Sequence, residues 1–207
     1  SSGSIPLMRS TLVIWLAAAA ALGAQEPRPA DAPAAPPPPP PAAAAAPAPP
    51  PPAAEVETIP DIVFARPAGH ELKLDLCRPK GAKTPRPAVL LVHGGGWVAG
   101  DKSKFRRESA ELAKMGFAVL AVDYRLIPTG RGLDLLDDVQ RAIRWTRKHA
   151  AEHGIDPARI GLGGGSAGAH LVSLAALWPA RESPAEEFKG LPAGGQCVGA
   201  WFGPQAM

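Results

Sequence analysis

The chain has 207 residues, of which 46% are hydrophobic and 20% are charged, a composition that suits one globular domain with accessory sequence. The formal net charge is only +3, and acidic and basic residues are interspersed, so no basic stripe predicts a nucleic-acid partner. No set of His, Cys or Asp residues has metal-ligand spacing, and the glycines at 161–165 are not followed by a phosphate-loop Lys-Ser/Thr pair. We therefore predict neither a metal nor a cofactor.

Residues 1–24 have the features of an export signal. They include residues 1–7, which lie upstream of the first methionine, Met8. Arg9 precedes an apolar run over residues 11–22, which is shorter than the roughly 20 residues that a membrane helix needs. Small residues around Gly23 suit cleavage by signal peptidase. We expect a periplasmic or extracellular protein without a membrane span in its mature form. An uncleaved anchor remains the alternative.

Residues 25–54 are almost entirely proline and alanine, and 14 of the 26 prolines lie between Pro27 and Pro52. This composition cannot bury enough apolar surface to offset the entropy of ordering, so the segment is a predicted disordered linker. It would space the domain from a membrane or wall, although a ligand for a proline-binding domain is also conceivable. The globular domain is predicted over residues 55–207.

In the globular part, predicted strands and helices alternate. Residues 59–66 and 71–77 alternate apolar and polar side chains around a turn, which predicts an antiparallel pair. Apolar runs at 88–92 and 117–122 predict strands that are buried on both faces. Further along the chain we predict helices at 104–114, 133–153 and 167–177 and strands at 160–162 and 197–202. This order indicates the α/β class, with a mostly parallel sheet and helices on both faces.

The sequence Gly164-Gly165-Ser166-Ala167-Gly168 matches the Gly-x-Ser-x-Gly pattern of a nucleophile elbow. In such an elbow a strand turns sharply into a helix with the serine at its apex, and side chains two residues to either side would collide. This crowding explains glycine at both outer positions. Taken alone, the pattern is equally compatible with a glycine-rich turn that happens to contain a serine.

A second motif, His93-Gly94-Gly95-Gly96-Trp97, directly follows the predicted strand at 88–92. Three glycines leave backbone N–H groups free to approach a ligand closely. Acyl transfer needs such donors at the oxygen that becomes negative, and we assign this role to the amides of Gly95, Gly96 and Ala167. Alone, a triple glycine would be a flexible loop. Its position 73 residues before Ser166, after a buried strand, makes the two motifs specific together.

Together with Asp123-Tyr124-Arg125-Leu126, these motifs resemble the α/β-hydrolase fold, and within it the esterases with an HGGG oxyanion loop that are related to hormone-sensitive lipase. The Trp97 and Gly100-Asp101-Lys102 positions look closest to bacterial carbohydrate- and feruloyl-esterase-like members. The resemblance implies Ser166 as the nucleophile, an oxyanion hole at Gly94–Gly96 with Ala167, and His93 as support for the loop. It implies a structural role for Asp123, Tyr124 and Arg125.

The family order is serine, acid, histidine, and a serine needs both partners to be activated. The residues after Ser166 contain no aspartate, Glu182, Glu186 and Glu187 come early for the acid, and His170 is the sole later histidine. His170 is tied to the helix that begins at the elbow, so we do not expect it to act as the base. We therefore expect the chain to be C-terminally truncated, to lack the last strands and helices of the fold, and to turn over esters negligibly. Truncation would also leave the strand at 197–202 as an unprotected sheet edge.

The function predicted from these residues is hydrolysis of small or carbohydrate-linked acyl esters through an acyl-enzyme on Ser166. Two alternatives remain open: a serine peptidase of the prolyl-oligopeptidase type, and a hydrolase-fold protein without catalysis. The oligomeric state is not predicted. Cys77 and Cys197 lie on predicted strands that are several positions apart in the expected sheet. Since a disulfide needs Cα atoms within about 7 Å, we expect both thiols to be free.

Overall fold

The computed structural model describes residues 49–53, 55–82, 84–179, 182 and 185–203. The predicted export signal and most of the predicted linker lie outside these ranges. None of the helices within them is both long and apolar enough to cross a membrane.

Six strands form one mixed sheet in the order β1-β2-β4-β3-β5-β6. The first two strands are antiparallel to each other, and β2 is also antiparallel to β4, whereas the pairs β3–β4, β3–β5 and β5–β6 are parallel. The parallel part confirms the predicted class, with the opening antiparallel pair at one side. The strand bounds are Val56–Ala65 (β1), Leu72–Pro79 (β2), Arg86–Val92 (β3), Ala118–Val122 (β4), Ile155–Gly165 (β5) and Cys197–Trp201 (β6).

Three α-helices cover the two faces of this sheet. They are Arg106–Lys114 (α1), Leu133–Lys148 (α2) and Ala167–Leu177 (α3), and short 3-10 helices lie at Pro67–Gly69, Lys102–Phe105 and Glu186–Phe188. The larger core cluster holds residues of α2 and α3 against one face, while a smaller cluster around Phe105 and Ala113 lies on the other. Alternate side chains of a strand point to opposite faces, so the buried strands β3 and β4 contribute to both clusters.

Two predicted boundaries were wrong around residue 150. The helix predicted over 133–153 ends at Lys148, and the strand predicted at 160–162 begins already at Ile155. His149 and His153 both stack on Trp145, so the chain folds back in a tight turn over the end of α2. Ile155 then donates a hydrogen bond to the Ala150 carbonyl and enters the sheet as a buried residue. The local pattern of apolar residues cannot show this reversal, since it depends on ring stacking.

The helix predicted over 104–114 also begins differently. Residues Lys102–Phe105 form a 3-10 turn, and α1 starts at Arg106. The Asp101 carboxylate accepts a hydrogen bond from the Ser103 amide at 2.7 Å and caps this turn. The cap therefore starts helical structure before the predicted helix does.

The last residues of the predicted linker contact the domain. Ala53 donates its amide hydrogen to the Lys114 carbonyl at 2.8 Å, and Arg86 donates from Nη1 to the Pro51 carbonyl at 2.8 Å. These contacts lie at the end of α1 and the start of β3. The chain is thus held to the domain before residue 55, where the predicted domain begins.

Both cysteines are free thiols. Cys77 is buried on β2 and Cys197 is exposed on β6, and β4, β3 and β5 lie between them in the sheet. With three strands between them, the two thiols are too far apart for a disulfide.

Candidate active site

Ser166 lies at the junction of β5 and α3, with φ 51° and ψ −118°. A positive φ is rare for a residue with a side chain and is found where surrounding structure enforces it. The Ser166 amide donates to the Trp201 carbonyl at 3.0 Å, and the Ser166 carbonyl accepts from the His170 amide at 3.1 Å. The backbone is therefore bonded on both sides of the turn, and the side chain is exposed.

The glycines on either side of Ser166 are required by close backbone contacts. A Cβ atom on Gly164 would lie 2.6 Å from the Gly168 carbonyl carbon and oxygen. A Cβ atom on Gly168 would lie 2.0 Å from the Val92 carbonyl oxygen. Real Cβ atoms do not approach backbone this closely, so the outer positions of the motif admit glycine alone. This agrees with the crowding argument made from the sequence.

The glycine loop lies directly against this elbow. A Cβ atom on Gly94 would lie 2.7 Å from the Gly165 carbonyl oxygen and 3.1 Å from the Ser166 Cβ. Gly95 and Gly96 have φ values of 138° and 60°, which glycine adopts without steric cost. The Gly95 carbonyl accepts from the amides of Val98 and Ala99 and closes the loop into a turn.

The amides of the three predicted donors, Gly95, Gly96 and Ala167, are not used in the hydrogen bonds of the described residues. Among the described residues, none accepts a hydrogen bond from the amides of Gly95 or Gly96. Ala167 is the first residue of α3, where an amide has no acceptor within the helix. The positive end of the helix dipole adds to the potential at this point. The amides of the three predicted donors thus have no acceptor among the described residues; Ala167 directly follows Ser166, and Gly94, the residue before Gly95, contacts the elbow.

His93 supports the loop from within the core. It is 1% exposed, its ring stacks on Tyr124 with centroids 4.5 Å apart, and its Nδ1 lies 3.0 Å from the Gly94 carbonyl oxygen. The Tyr124 hydroxyl donates to the His93 carbonyl at 3.1 Å. Burial lowers the pKa of His93, which favours the neutral ring. A neutral, fully packed imidazole suits a support more than a proton carrier.

The residues that follow β4 make structural contacts. Asp123 accepts from the Lys102 amide at 2.7 Å, and burial raises the pKa of its carboxyl group. Arg125 donates from Nε and Nη2 to the two carboxylate oxygens of Asp138 at 2.8 and 2.9 Å. Both side chains of that ion pair are buried, so each charge depends on the other.

No described histidine is bonded to the Ser166 hydroxyl. His170 lies one helical turn after the serine, and its ring is edge-on to Trp97 with centroids 5.6 Å apart. Its Nδ1 is buried and has no hydrogen-bond partner within the part of the chain that the structure describes. His149 and His153 belong to the stack on Trp145. The described residues also contain no group of three or more His, Cys, Asp or Glu that could hold a metal ion.

Two residues near the site have contacts that the sequence interpretation did not predict. Trp201 ends β6, accepts from the Ser166 amide and covers the glycines of β5, since a Cβ atom on Gly165 would lie 2.8 Å from its Nε1. Lys102, which the sequence interpretation named only as part of the resemblance at Gly100-Asp101-Lys102 and gave no contact, anchors the chain that leaves the glycine loop. The glycines at 163 and 165 lie against the Trp201 ring and were a signal for a large neighbouring side chain, whereas no local pattern shows the partners of Lys102.

Comparison with known proteins places this geometry in a family. The BD-FAE family model matches residues 74–204. A probable carboxylic ester hydrolase, LipM, from Mycobacterium tuberculosis is 40% identical over 94 residues, which are 45% of this chain and 22% of the relative. A probable isoprenylcysteine alpha-carbonyl methylesterase, ICMEL1, from Arabidopsis thaliana is 39% identical over 101 residues, or 49% of this chain and 21% of the relative.

Solved structures give the same result for the fold. A thermophilic esterase from Thermogutta terrifontis, Est2, superimposes with a TM-score of 0.65 at 33% sequence identity, over 69% of this chain and 52% of the esterase. The chain therefore spans about half of this esterase and about a fifth of the two curated relatives. The fold is that of the α/β-hydrolase esterases, and the chain belongs to the BD-FAE family.

Proposed function

We propose that the protein is a serine carboxylic ester hydrolase that works through an acyl-enzyme on Ser166. The observation that carries the proposal is the conjunction at the elbow: an exposed serine with φ 51° directly beside a glycine loop with unpaired amides. A structural serine would have no need of that conformation. The family relatives support ester hydrolysis over the peptidase alternative.

In the proposed reaction the Ser166 Oγ attacks the ester carbonyl carbon as its proton passes to a base. The carbonyl oxygen becomes an oxyanion that accepts hydrogen bonds from the amides of Gly95, Gly96 and Ala167. When this intermediate collapses, the base returns the proton to the leaving oxygen, the C–O bond breaks, and the alcohol departs with the acyl group left on Ser166; water then attacks the acyl carbon, with its proton passing to the base and then to Ser166 Oγ, and releases the acid. One such donor typically contributes about 3 kcal/mol of transition-state stabilisation.

Small acyl groups are the substrate class that the relatives support. Structures of the Thermogutta terrifontis esterase have butyrate or propionate bound, and others are phosphorylated by paraoxon. For this chain we propose short-chain acyl esters. Carbohydrate-linked esters are the finer proposal, resting on the resemblance at Trp97 and Gly100-Asp101-Lys102. Rates on p-nitrophenyl butyrate and on an acetylated sugar would compare the two.

The test uses the 207-residue chain with imidazole as an added base. Since no described histidine reaches Ser166, we expect p-nitrophenyl butyrate hydrolysis to be very slow without imidazole and to rise with imidazole concentration. With imidazole present, paraoxon should phosphorylate a single residue, which peptide mass spectrometry would identify as Ser166. Ser166→Ala should abolish the phosphorylation and reduce hydrolysis to the rate that imidazole gives by itself.

Ser109, which is buried on α1, is a matched control residue. Ser109→Ala should leave both reactions as in the unchanged chain. Imidazole also hydrolyses activated esters by itself, so the measured quantity is the difference between the chain and its Ser166→Ala variant. No difference, together with no phosphorylation at Ser166, would refute the proposed function.

We also propose that residues 1–24 direct export, on the sequence pattern alone. Joined to a reporter enzyme that folds only outside the cytoplasm, this segment should give activity that Ile14→Arg abolishes. The mass of the exported product would distinguish cleavage near Gly23 from an uncleaved anchor. Activity that is unchanged by Ile14→Arg would argue against a signal.

A further inference from the structure

The chain that leaves the glycine loop is held by one lysine. Three residues after Ala99, the Lys102 side chain is 13% exposed and its Nζ lies 2.6 Å from Asp75 Oδ1 and 2.9 Å from Asp61 Oδ1. Asp75 is on β2, and Asp61 occupies an irregular point of β1 with φ 57°. The lysine therefore reaches across the face of the sheet to two strands.

The backbone of Lys102 is hydrogen-bonded to the residue that follows a third strand, β4. The Lys102 amide donates to Asp123 Oδ1 at 2.7 Å, and Asp123 directly follows β4. Asp75 Oδ1 also accepts from the Asp61 amide at 3.0 Å, so the carboxylate that binds Nζ is itself fixed. Side chain and main chain of Lys102 are thus held by separate acidic residues.

The glycine loop needs this support because its own residues have no side chains that could hold its conformation. Glycines lose more conformational freedom on folding than any other residue, and an oxyanion hole works only when its donors are already in position. His93 fixes the entrance of the loop through its stack on Tyr124. At the exit, the contacts of Lys102 join the Asp101 cap of the 3-10 turn and the close packing of Gly100, where a Cβ atom would lie 2.7 Å from His93 Nδ1.

We propose that Lys102 is a positioning residue for the oxyanion amides, which it holds in place by fixing the exit of the glycine loop to Asp75 and Asp123. This rests on the proposed function for the role of the Gly95 and Gly96 amides. The order of the loop itself does not depend on that role and is measured separately.

Amide hydrogen exchange of the 207-residue chain reports that order directly. The amides of Val98 and Ala99 donate to the Gly95 carbonyl, and the Ile127 amide donates to the Trp97 carbonyl. In Lys102→Met these three amides should exchange at least about tenfold faster. Amides of Val119 and Leu120 in the centre of β4 report global opening and should be unchanged. Lys102→Arg should restore most of the protection.

Two control comparisons separate positioning from a general loss of stability. Lys80 pairs with Glu55 at 3.2 Å, and both side chains are mostly exposed, so Lys80→Met should leave the loop amides unchanged. Asp123→Asn retains an Oδ1 acceptor for the Lys102 amide, whereas Asp123→Ala removes it. Faster exchange in Asp123→Ala but not in Asp123→Asn is expected. If Lys102→Met does not fold, the comparison of Asp123→Ala with Asp123→Asn still tests the proposal.

The proposal is overturned if the loop amides exchange as before in both Lys102→Met and Asp123→Ala, or if β4 amides accelerate by the same factor. Paraoxon phosphorylation of Ser166 is the second readout, and Lys102→Met should slow it while Lys80→Met does not. If the unchanged chain shows neither phosphorylation of Ser166 nor imidazole-dependent hydrolysis above Ser166→Ala, the proposed function fails, and the exchange result still decides whether Lys102 orders the loop.

Discussion

At the scale of single residues, the elbow is defined by where side chains cannot be placed. Gly168→Ala would put a methyl group 2.0 Å from the Val92 carbonyl oxygen, which forces α3 away from β3. We expect a loss of about 3 kcal/mol in the free energy of unfolding, because backbone on both sides must move. Urea denaturation followed by circular dichroism would measure it.

Gly199 on β6 provides the comparison. A Cβ atom there would be 3.7 Å from the Trp201 ring, an ordinary contact distance. Gly199→Ala should therefore change the free energy of unfolding by no more than about 0.5 kcal/mol. Equal effects of the two substitutions would mean that close approach at Gly168 is not what selects glycine.

His93 gives the protein a pH dependence with a definite sign. Burial lowers the pKa of His93 from its ordinary value of 6.5, and it lowers that of His153 in the same way. Below pH 6.5 the unfolded chain thus binds protons that the folded chain does not, and stability falls as the pH falls from 6.5 towards the folded pKa values.

His93→Asn should reduce this dependence. The variant is expected to be less stable at pH 8, because the stack on Tyr124 is lost, but its free energy of unfolding should fall less between pH 8 and pH 5. His153 keeps part of the slope. Parallel curves for the two proteins would show that protonation of His93 is not linked to unfolding.

At the scale of elements, the Trp201 ring at the end of β6 packs against two glycines of β5. Trp201 lies 3.4 Å from a Cβ position on Gly163 and 2.8 Å from one on Gly165, and it contacts Phe105 edge-on. Trp201→Ala would empty this space beneath the elbow. Since the side chain is 40% exposed, we expect a loss of about 2 kcal/mol, less than for a fully buried tryptophan.

The effect should also reach Ser166, whose amide is bonded to the Trp201 carbonyl. In Trp201→Ala this amide should lose protection from hydrogen exchange, and Trp201→Phe should restore part of it. The neighbouring Phe202 is 92% exposed, so Phe202→Ala is a control that should alter neither quantity. An unprotected Ser166 amide in Phe202→Ala would point to the strand end in general and not to the indole.

For the whole molecule, the sequence patterns located the strands and the helix that depend on the apolar residues within each segment. Continuous apolar runs located β3 and β4, and the helix predicted at 167–177 has those bounds as α3. The end of α2 was missed because it depends on the stacking of His149 and His153 on Trp145. Lys102 and Asp75 are 27 residues apart and meet only after β1 and β2 are in place, so no sequence pattern could pair them.

The two edges of the sheet differ in a way that predicts association. On β1 the register shifts at Asp61, and Glu57 and Asp61 add charge, which are devices that discourage pairing with another chain. In the described residues β6 is bonded to β5 only, carries no charge and is exposed at all five positions. Val198 is 39% exposed and Phe202 follows with 92%.

We therefore expect concentration-dependent self-association through β6, which Val198→Lys should reduce, because a charge on an edge strand must be desolvated when a second strand pairs with it. Sedimentation velocity over a range of protein concentrations would measure this. Thr58→Lys places the same charge at an exposed position of β1 and should not change the association. If Val198→Lys and Thr58→Lys reduce the association equally, net charge and not the β6 edge controls it. A chain that stays monomeric at every protein concentration would contradict the expectation.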